Sequence, residues 1–316
     1  MSSEVNVNLL ACLLSLQYQI MALQCLISSY SLSVLYLDGV KFGDTQMTAM
    51  GMLGSVSFLS VSRSKPLDKL SKVRPLSSIF HPASFISLLG QFAIHLVTMV
   101  VAVRAAKSYL PPDYQAELDG QFSPGILNTV VFLVSNVQQV TVFFVNLQGR
   151  PFMTGITENR PLLWSLAGTF ILTFMFASES VPEMNRYFQL VPFPDDGFRS
   201  FILISLGMDL VGTFVFDRLM KFFFARDILI ASVQGTRTKD VMALVRTFVI
   251  IGFLMYQFLG NSDQWDQLIE MQEAFTNGTN ATVAVTNATE CVGGVCETVK
   301  ATVAKTLSSS LDHDEF

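Results

Sequence analysis

Long and nearly uninterrupted apolar runs limit what this chain can fold into more than any other feature of the sequence. Each run holds roughly 18 to 25 residues, which is long enough as an α-helix to cross a hydrocarbon core of about 30 Å. Only 14% of the residues are charged, whereas soluble domains carry about 25%. The sequence therefore predicts helices that lie in lipid.

The fold predicted from these runs is an all-α, multi-pass transmembrane bundle. Backbone polar groups in lipid must bond within their own segment, and the runs lack the alternation of barrel strands. We predict about seven spans, near residues 14–37, 45–62, 83–103, 126–147, 161–178, 200–224 and 241–259. The predicted domains are a membrane domain (1–226), a linker with an additional transmembrane helix (227–260) and a tail (261–316).

The distribution of Lys and Arg predicts the orientation of the bundle. Thirteen of the twenty basic residues lie on the side of the loops near 63–74, 150–160 and 218–239. Basic residues in short loops are retained in the cytosol. The N-terminus is therefore predicted to be cytosolic, and an odd number of spans places the tail on the lumenal or external side.

The tail carries features that suit a lumenal compartment. Three N-x-T sequons, at Asn277, Asn280 and Asn287, predict glycosylation, although a tail rich in Thr and Asn can also produce sequons by chance. Cys291 and Cys296 are candidates for a disulfide in the same oxidising compartment.

Composition argues against two other classes of function. The three histidines are widely separated in the sequence, so we predict no metal bound by histidine. The net charge is −5, and the basic residues flank apolar runs, so nucleic-acid binding is not expected either.

Several short blocks between residues 17 and 224 resemble the last six membrane helices of the subgroup A type V P-type ATPases of the endoplasmic reticulum. Their order, spacing and positions at helix ends carry the resemblance. The blocks are 31–42 (SLSVLYLDGVKF), 62–66 (SRSKP), 74–75 (RP), 79–80 (IF), 151–153 (PFM), 158–159 (EN), 161–166 (PLLWSL), 217–218 (DR) and 222–223 (FF).

The resemblance implies an ATP-driven translocase that extracts misinserted transmembrane helices, a class formerly described as cation transporters. The sequence departs from that family because it contains no Asp-Lys-Thr-Gly-Thr motif, whose aspartate is the phosphorylated residue. We therefore expect no catalytic residue and no cofactor in this chain, with ATP and Mg²⁺ bound by a missing N-terminal catalytic half. A truncated or split gene would explain this, and the region after residue 226 is either an addition or a gene-model artefact.

Polar residues form stripes on three predicted helices. Their members are Gln17, Gln24, Ser28 and Ser31 on the first; Ser84, Ser87, Gln91, His95 and Thr98 on the third; and Asn128, Ser135, Gln139 and Asn146, flanked by Asn136 and Gln138, on the fourth. Polar side chains in lipid normally face a bundle interior or a wet cavity. Asp209 is the acid predicted to lie deepest within a span.

Two interpretations of these stripes remain open at this stage. In the first, Gln24, Ser28, Asn136, Gln139, Asn146 and Asp209 line a cavity for transmembrane helices of client proteins, as the resemblance implies. In the second, the polar groups hold helices together in a non-catalytic membrane scaffold or accessory subunit. An ion channel or carrier ranks last, because the sequence offers no ring of acids and no paired broken helices. The partners expected are the lipid bilayer, client helices and the missing catalytic half.

Overall fold

The structure is a computed structural model that describes residues 2–62, 67, 73, 80–111, 122–147, 149, 152–235, 238–259, 265–273, 291–292 and 295–296. For residues 2–16, 258–259, 291–292 and 295–296 it describes the backbone alone. The chain divides into two compact units, Met1–Trp265 and Asp266–Phe316. The sequons at Asn277, Asn280 and Asn287 and most of the loop 63–74 lie outside the described residues.

The first unit is built from α-helices, which confirms the predicted all-α class. The helices are α1 (Ser2–Leu37), α2 (Asp44–Ser62), α3 (Pro82–Lys107), α4 (Ile126–Asn146), α5 (Arg160–Ser178), α6 (Pro182–Tyr187), α7 (Asp196–Phe224), α8 (Arg226–Gly235) and α9 (Thr238–Leu259). A further helical segment covers 265–273. In the second unit, the two-residue strands β1 (Cys291–Val292) and β2 (Val295–Cys296) pair antiparallel.

Five helices of the described chain are long and apolar enough to cross a membrane. They are the part of α1 from Gln17 to Leu37, and α3, α4, α5 and α7. The two remaining predicted spans correspond to α2, which contains several Thr, Gln and Ser residues, and α9, which carries Lys239, Asp240 and Arg246 in its first half. The predicted α-helical bundle is thus confirmed, with five candidate spans among the described residues, and membrane crossing by α2 and α9 stays a prediction.

Helix α4 occupies the centre of the bundle. It packs against α1, α3, α5 and α7, and nearly all of its residues are buried. It contains no charged residue, and Val130, Phe132, Val137 and Phe143 are among its fully buried apolar side chains. A helix that is apolar on most of its circumference is expected in such a central position.

The outer helices turn large apolar side chains away from this centre. Leu32 of α1, Val97 of α3 and Ile204 of α7 are each more than half exposed. Contiguous apolar surface of this kind is unusual on soluble monomers, whereas lipid is an apolar solvent for it. The exposed surface therefore agrees with a membrane location.

Local sequence signals set the ends of the helices α3, α5 and α7. His81, Asn159 and Asp195 precede α3, α5 and α7, and the side chain of each accepts a hydrogen bond from a backbone N–H of the first turn. This satisfies one of the unpaired donors at a helix N-terminus. Glu179 follows α5 with a φ of 55°, a left-handed conformation that ends the helix.

Helices α3 and α7 run antiparallel and approach each other closely at Gly90. A Cβ atom added to Gly90 would lie 1.9 Å from Cε1 of Phe216 on α7. Non-bonded carbon atoms do not approach this closely, so the missing side chain is what allows the two helices to pack at this separation.

We predict that Gly90→Ala lowers the free energy of unfolding by about 1 to 3 kcal/mol, the usual cost of overpacking. Thermal or denaturant unfolding in detergent micelles measures the change. Gly207→Ala on α7 is the matched control, because a Cβ at Gly207 meets no atom within 4 Å. Equal stability of Gly90→Ala and the wild type would show that Phe216 moves aside without cost.

Candidate functional site

Four of the eight polar side chains of α4 form hydrogen bonds with a neighbouring helix: Asn128, Ser135, Gln138 and Asn146. At the start of α4, Asn128 and Gln46 of α2 form a reciprocal amide pair, in which Gln46 Nε2 donates to Asn128 Oδ1 at 2.9 Å and Asn128 Nδ2 donates to Gln46 Oε1 at 3.0 Å. Asn128 also donates to the carbonyl of Lys41 at 2.8 Å. These bonds join α2 and the α1–α2 turn to the central helix.

The middle of α4 is bonded to α1 and α3. Ser135 Oγ donates to Ser31 Oγ at 3.0 Å, and Gln138 Nε2 donates to the carbonyl of His95 at 2.8 Å. The Asn136 amide donates to the carbonyl of Phe132 in its own helix at 2.9 Å. The Asn136 side chain is therefore buried, and this hydrogen bond lies within α4 rather than reaching a neighbouring helix.

A second reciprocal amide pair lies at the end of α4. Gln91 Nε2 donates to Asn146 Oδ1 at 3.1 Å, and Asn146 Nδ2 donates to Gln91 Oε1 at 2.8 Å. Gln91 Nε2 also contacts Ser87 Oγ at 2.9 Å, and Ser87 donates to Asp217 Oδ1 at 2.8 Å. Lys221 Nζ completes the network at 2.7 Å from Asp217 Oδ2.

The charges of this network are largely compensated within it. Asp217 is 2% exposed and pairs with Lys221, which is 9% exposed, while Arg218 lies 3.5 Å from the same carboxylate. A buried carboxylate in lipid needs such partners, because an unpaired charge there is strongly unfavourable. The network therefore ties α3, α4 and α7 together at one end of the bundle.

Gln139 differs from the other amides of α4 because it is only half-buried. It lies between α1 and α2: Gln24 Nε2 of α1 donates to the backbone carbonyl of Gln139 at 3.4 Å, and a Cβ added to Gly54 of α2 would lie 2.5 Å from Gln139 Nε2. Helix α1 packs on α3 and α4, whereas α2 packs on α5 and α4. The Gln139 amide thus sits on the α4 surface between two helices that have different neighbours.

A groove of about 660 Å³ lies where α1 ends and α2 begins. Its lining is mostly apolar and includes Leu32, Tyr36, Val40, Phe42 and Met47. Met47 precedes Gly54 by seven residues, which is about 10 Å along α2. The groove therefore opens on the same pair of helices that flank Gln139.

The structure places the predicted cavity residues in different surroundings. Gln24 and Gln139 are half-buried beside each other, Ser28 is exposed, and Asn136 and Asn146 are buried. Asp209 is buried and paired with His95, the pairing alternative considered from the sequence. Among these six residues, the structure describes a hydrogen bond between Gln24 and the Gln139 carbonyl.

Two residues have roles that were not predicted from the sequence. Gln46 was not singled out, although it forms the amide pair with Asn128, because it stands near the polar start of a helix. Lys221 was counted only as a cytosolic basic residue, although it is buried against Asp217. The spacing of Asp217 and Lys221 by four residues, on one face of α7, is the signal that could have identified this pair.

Outside the candidate spans, hydrogen bonds lower the pKa of one carboxylate, that of Asp195. The Tyr109 hydroxyl donates to Asp195 Oδ2 at 2.7 Å, and this bond, with the backbone N–H of Phe198, lowers the pKa of Asp195 below its usual value. The same bond raises the pKa of Tyr109. Because the folded-state pKa of Asp195 is lowered, its contribution to stability is present above the ordinary carboxylate pKa and is lost as the pH falls through the lowered value.

The described residues contain no group of three or more His, Cys, Asp or Glu side chains that could hold a metal ion. No Asp-Lys-Thr-Gly-Thr motif occurs in the sequence, so no step of ATP hydrolysis is assigned to residues of this chain.

Comparison with known proteins finds relatives for about two thirds of the chain, although no protein-family model matches it. The chain is 44% identical over 210 residues to the endoplasmic reticulum transmembrane helix translocase of Saccharomyces cerevisiae. It is 42% identical over 207 residues to the protein of the same name in Schizosaccharomyces pombe, and 40% identical over 208 residues to a probable manganese-transporting ATPase of Arabidopsis thaliana. Each match covers 66% of this chain and 17% of the relative, so the chain spans about a sixth of the relatives' length.

We predict a favourable coupling between Gln91 and Asn146 of about 0.6 kcal/mol, and at most about 1.7 kcal/mol, as found for interhelical hydrogen bonds in membranes. A double-mutant cycle with Gln91→Leu and Asn146→Leu, measured by unfolding in detergent, gives this value. The control cycle combines Asn146→Leu with Gln46→Leu, whose partner Asn128 lies eighteen residues from Asn146, so its coupling should be near zero. Equal coupling in both cycles would contradict a direct bond.

Proposed function

From its homology to part of the membrane region of the endoplasmic reticulum transmembrane helix translocases, the type V P-type ATPases, we infer that this chain forms the membrane-embedded part of an ATP-driven translocase. Its substrates are transmembrane helices of other proteins. The chain supplies the surface along which such a helix passes, and hydrolysis of ATP with Mg²⁺ takes place in a separate catalytic half.

The observation that carries this proposal is the half-buried amide of Gln139 between α1 and α2. A client helix that must be removed from the membrane carries polar or charged residues, because a fully apolar helix is stable in lipid. Such residues need hydrogen-bonding partners within the hydrocarbon region. Gln139 and the neighbouring Gln24 offer them, and the apolar groove at the start of α2 offers contact for the apolar remainder.

The proposed location is the endoplasmic reticulum membrane, with the N-terminus in the cytosol and the tail in the lumen. The homologues support the compartment, and the unequal distribution of Lys and Arg supports the orientation. In this topology α2 and α9 both cross the membrane. The tail is glycosylated, and the antiparallel register that sets Cys291 opposite Cys296 supports a disulfide between them.

A second candidate function is a non-catalytic membrane scaffold or accessory subunit. The two reciprocal amide pairs favour this function. The side-chain amides of Asn128 and Asn146 are hydrogen-bonded to Gln46 and Gln91, so they are not available to a client helix. In a scaffold, Gln139 would face lipid or a permanent partner. Client contact at Gln139 distinguishes the two functions.

We predict that a cysteine at position 139 reacts with a water-soluble thiol reagent, whereas a cysteine at position 146 does not. Gln139 is half-buried and Asn146 is buried in a satisfied amide pair. The variants Gln139→Cys and Asn146→Cys are made in a chain whose four natural cysteines are replaced by alanine. Labelling rates and crosslinking to a single-span client helix, in membranes containing the complete translocase, are measured.

If the chain is a translocase, Gln139→Cys should crosslink to the client helix, and an excess of unlabelled client should reduce this crosslinking. Ser135→Cys is a second control, since Ser135 is buried against Ser31. If Gln139→Cys is unreactive and uncrosslinked in an active, folded enzyme, the scaffold function is favoured.

The topology has its own test. We predict that glycosidase treatment of the chain expressed in eukaryotic cells increases its gel mobility, and that Asn277→Gln, Asn280→Gln and Asn287→Gln together abolish this change. A sequon engineered into the loop 63–74 should remain unmodified, because that loop is cytosolic in this orientation. Modification of the engineered sequon without modification of the tail would show that the orientation is the opposite of the proposed one.

A further inference from the structure

A small polar cavity lies at the end of the bundle where α3 begins and α7 ends. Its polar lining consists of Gln19, Ser84, Ser87, Asp217 and Lys221, and Ala83, Ala225 and Ile228 contribute apolar atoms. These residues belong to α1, α3, α7, α8 and the single residue that separates α7 from α8. The cavity therefore lies where four helices meet.

Two of the polar side chains in this lining are buried without a hydrogen-bond partner. Gln19 is 5% exposed and Ser84 is 6% exposed, so bulk water cannot solvate them fully. Within the described part of the chain, no group forms a hydrogen bond with the Gln19 amide or the Ser84 hydroxyl. Buried polar side chains nearly always have a partner, so both groups indicate a ligand in the cavity.

Lys221 has donors left for the same ligand. Its ammonium group carries three N–H donors, and Nζ donates to Asp217 Oδ2 at 2.7 Å. The side chain is 9% exposed and lines the cavity. Asp217 thus uses one of the three donors, and the other two are available to a ligand.

The charges around the cavity argue against a metal cation as this ligand. Asp217 Oδ1 accepts a hydrogen bond from Ser87 at 2.8 Å, Oδ2 accepts from Lys221, and Arg218 Nη1 lies 3.5 Å from Oδ2. One negative charge is therefore already surrounded by two positive charges. A metal cation would add a third positive charge at short distance, which is unfavourable.

The size and the bonding needs of the cavity favour water. The cavity offers about 10 Å³, which is close to the smallest volume that holds one water molecule. Lys221 can only donate, whereas the carbonyl oxygen of the Gln19 side chain can only accept. A water molecule both accepts and donates, so it satisfies both groups, whereas a halide ion would leave the Gln19 carbonyl unpaired.

We propose that this cavity binds one water molecule, which accepts a hydrogen bond from Lys221 and donates hydrogen bonds to Gln19 and Ser84. These three partners are within the usual range of two to four for a buried water. The water is a fixed part of the bundle, and its removal destabilises the fold.

The bound water gives α1 a polar link to α7. The described hydrogen bonds between α1 side chains and other helices go to α4, from Gln24 to the Gln139 carbonyl and from Ser135 to Ser31. Through the water, Gln19 joins the network of Lys221 and Asp217. The network that ties α3, α4 and α7 together at this end therefore extends to α1.

The first test detects the contact between water and Lys221 in the full chain in lipid bilayers. Solid-state NMR measures the transfer of proton magnetisation from water to ¹⁵N-labelled lysine, and Lys221→Arg identifies the Lys221 signal. We expect transfer in the wild type and its loss in Ser84→Val, whose added methyl group fills the cavity. Ser55→Val is the matched control, because Ser55 is exposed on α2 and bonds to its own helix. Undiminished transfer in Ser84→Val would show that Lys221 contacts bulk water, and would overturn the proposal.

The identity of the ligand is tested by exchanging the salt. The same transfer is measured in sodium chloride and in sodium gluconate at equal ionic strength. We expect no difference, because the proposed ligand is neutral and is present in both. Loss of the water contact in chloride alone would show that a halide ion occupies the cavity, and would also overturn the proposal.

The link between helices is tested by a double-mutant cycle with Gln19→Leu and Ser84→Ala, which decides the matter if Ser84→Val fails to fold. Gln19 and Ser84 do not bond to each other, but both bond to the proposed water. We therefore expect a favourable coupling of about threefold in the unfolding equilibrium constant, the size found for interhelical hydrogen bonds in membranes. The control cycle combines Gln19→Leu with Ser55→Ala and should show no coupling. Absence of coupling between Gln19 and Ser84 would contradict a shared water.

Discussion

The architecture depends on one constraint: a polar side chain inside hydrocarbon must find a hydrogen-bonding partner within the protein. Helix α4 satisfies this constraint toward several neighbours, through Gln46 on α2, Ser31 on α1 and Gln91 on α3. Apolar contacts alone would let these helices slide, because lipid tails compete equally for apolar surface. Each polar bond therefore helps to fix which helix lies beside α4 and at which height.

The same constraint separates the structural amides from a candidate functional one. Asn128 and Asn146 are committed to reciprocal pairs, so their removal should affect folding before function. Gln139 is half-buried between α1, which also packs on α3, and α2, which also packs on α5. A polar group at this position can serve a passing helix without weakening the bundle, which is what a translocase surface requires. The buried pair of His95 and Asp209 shows a third outcome, in which the partner is itself ionisable.

Much of the fold could be predicted from the sequence, because length and apolar content decide which segments enter lipid. The predicted spans 45–62 and 126–147 agree closely with α2 and α4. Three residues of the α4 stripe, Asn128, Ser135 and Asn146, bond to neighbouring helices, whereas Gln139 is half-buried. The identity of each partner could not be predicted, because periodicity says nothing about the neighbouring helix. Serine residues did not reliably predict contacts between helices. Ser28 is exposed, and Ser33 and Ser55 donate to backbone carbonyls of their own helix. A serine hydroxyl in lipid therefore needs no partner on a second helix. Short helices such as α6 and α8 were missed, because they are too short to show a membrane-span pattern.

The proposed function, the membrane part of an ATP-driven helix translocase, can be tested with a chimaera. In the translocase of Saccharomyces cerevisiae, the matched region is replaced by residues 17–224 of this chain, and client-stimulated ATP hydrolysis is measured after reconstitution in lipid. We expect the chimaera to hydrolyse ATP and a misinserted client helix to stimulate this activity. A chimaera that folds, inserts and hydrolyses ATP but does not respond to client helices would contradict the proposed function.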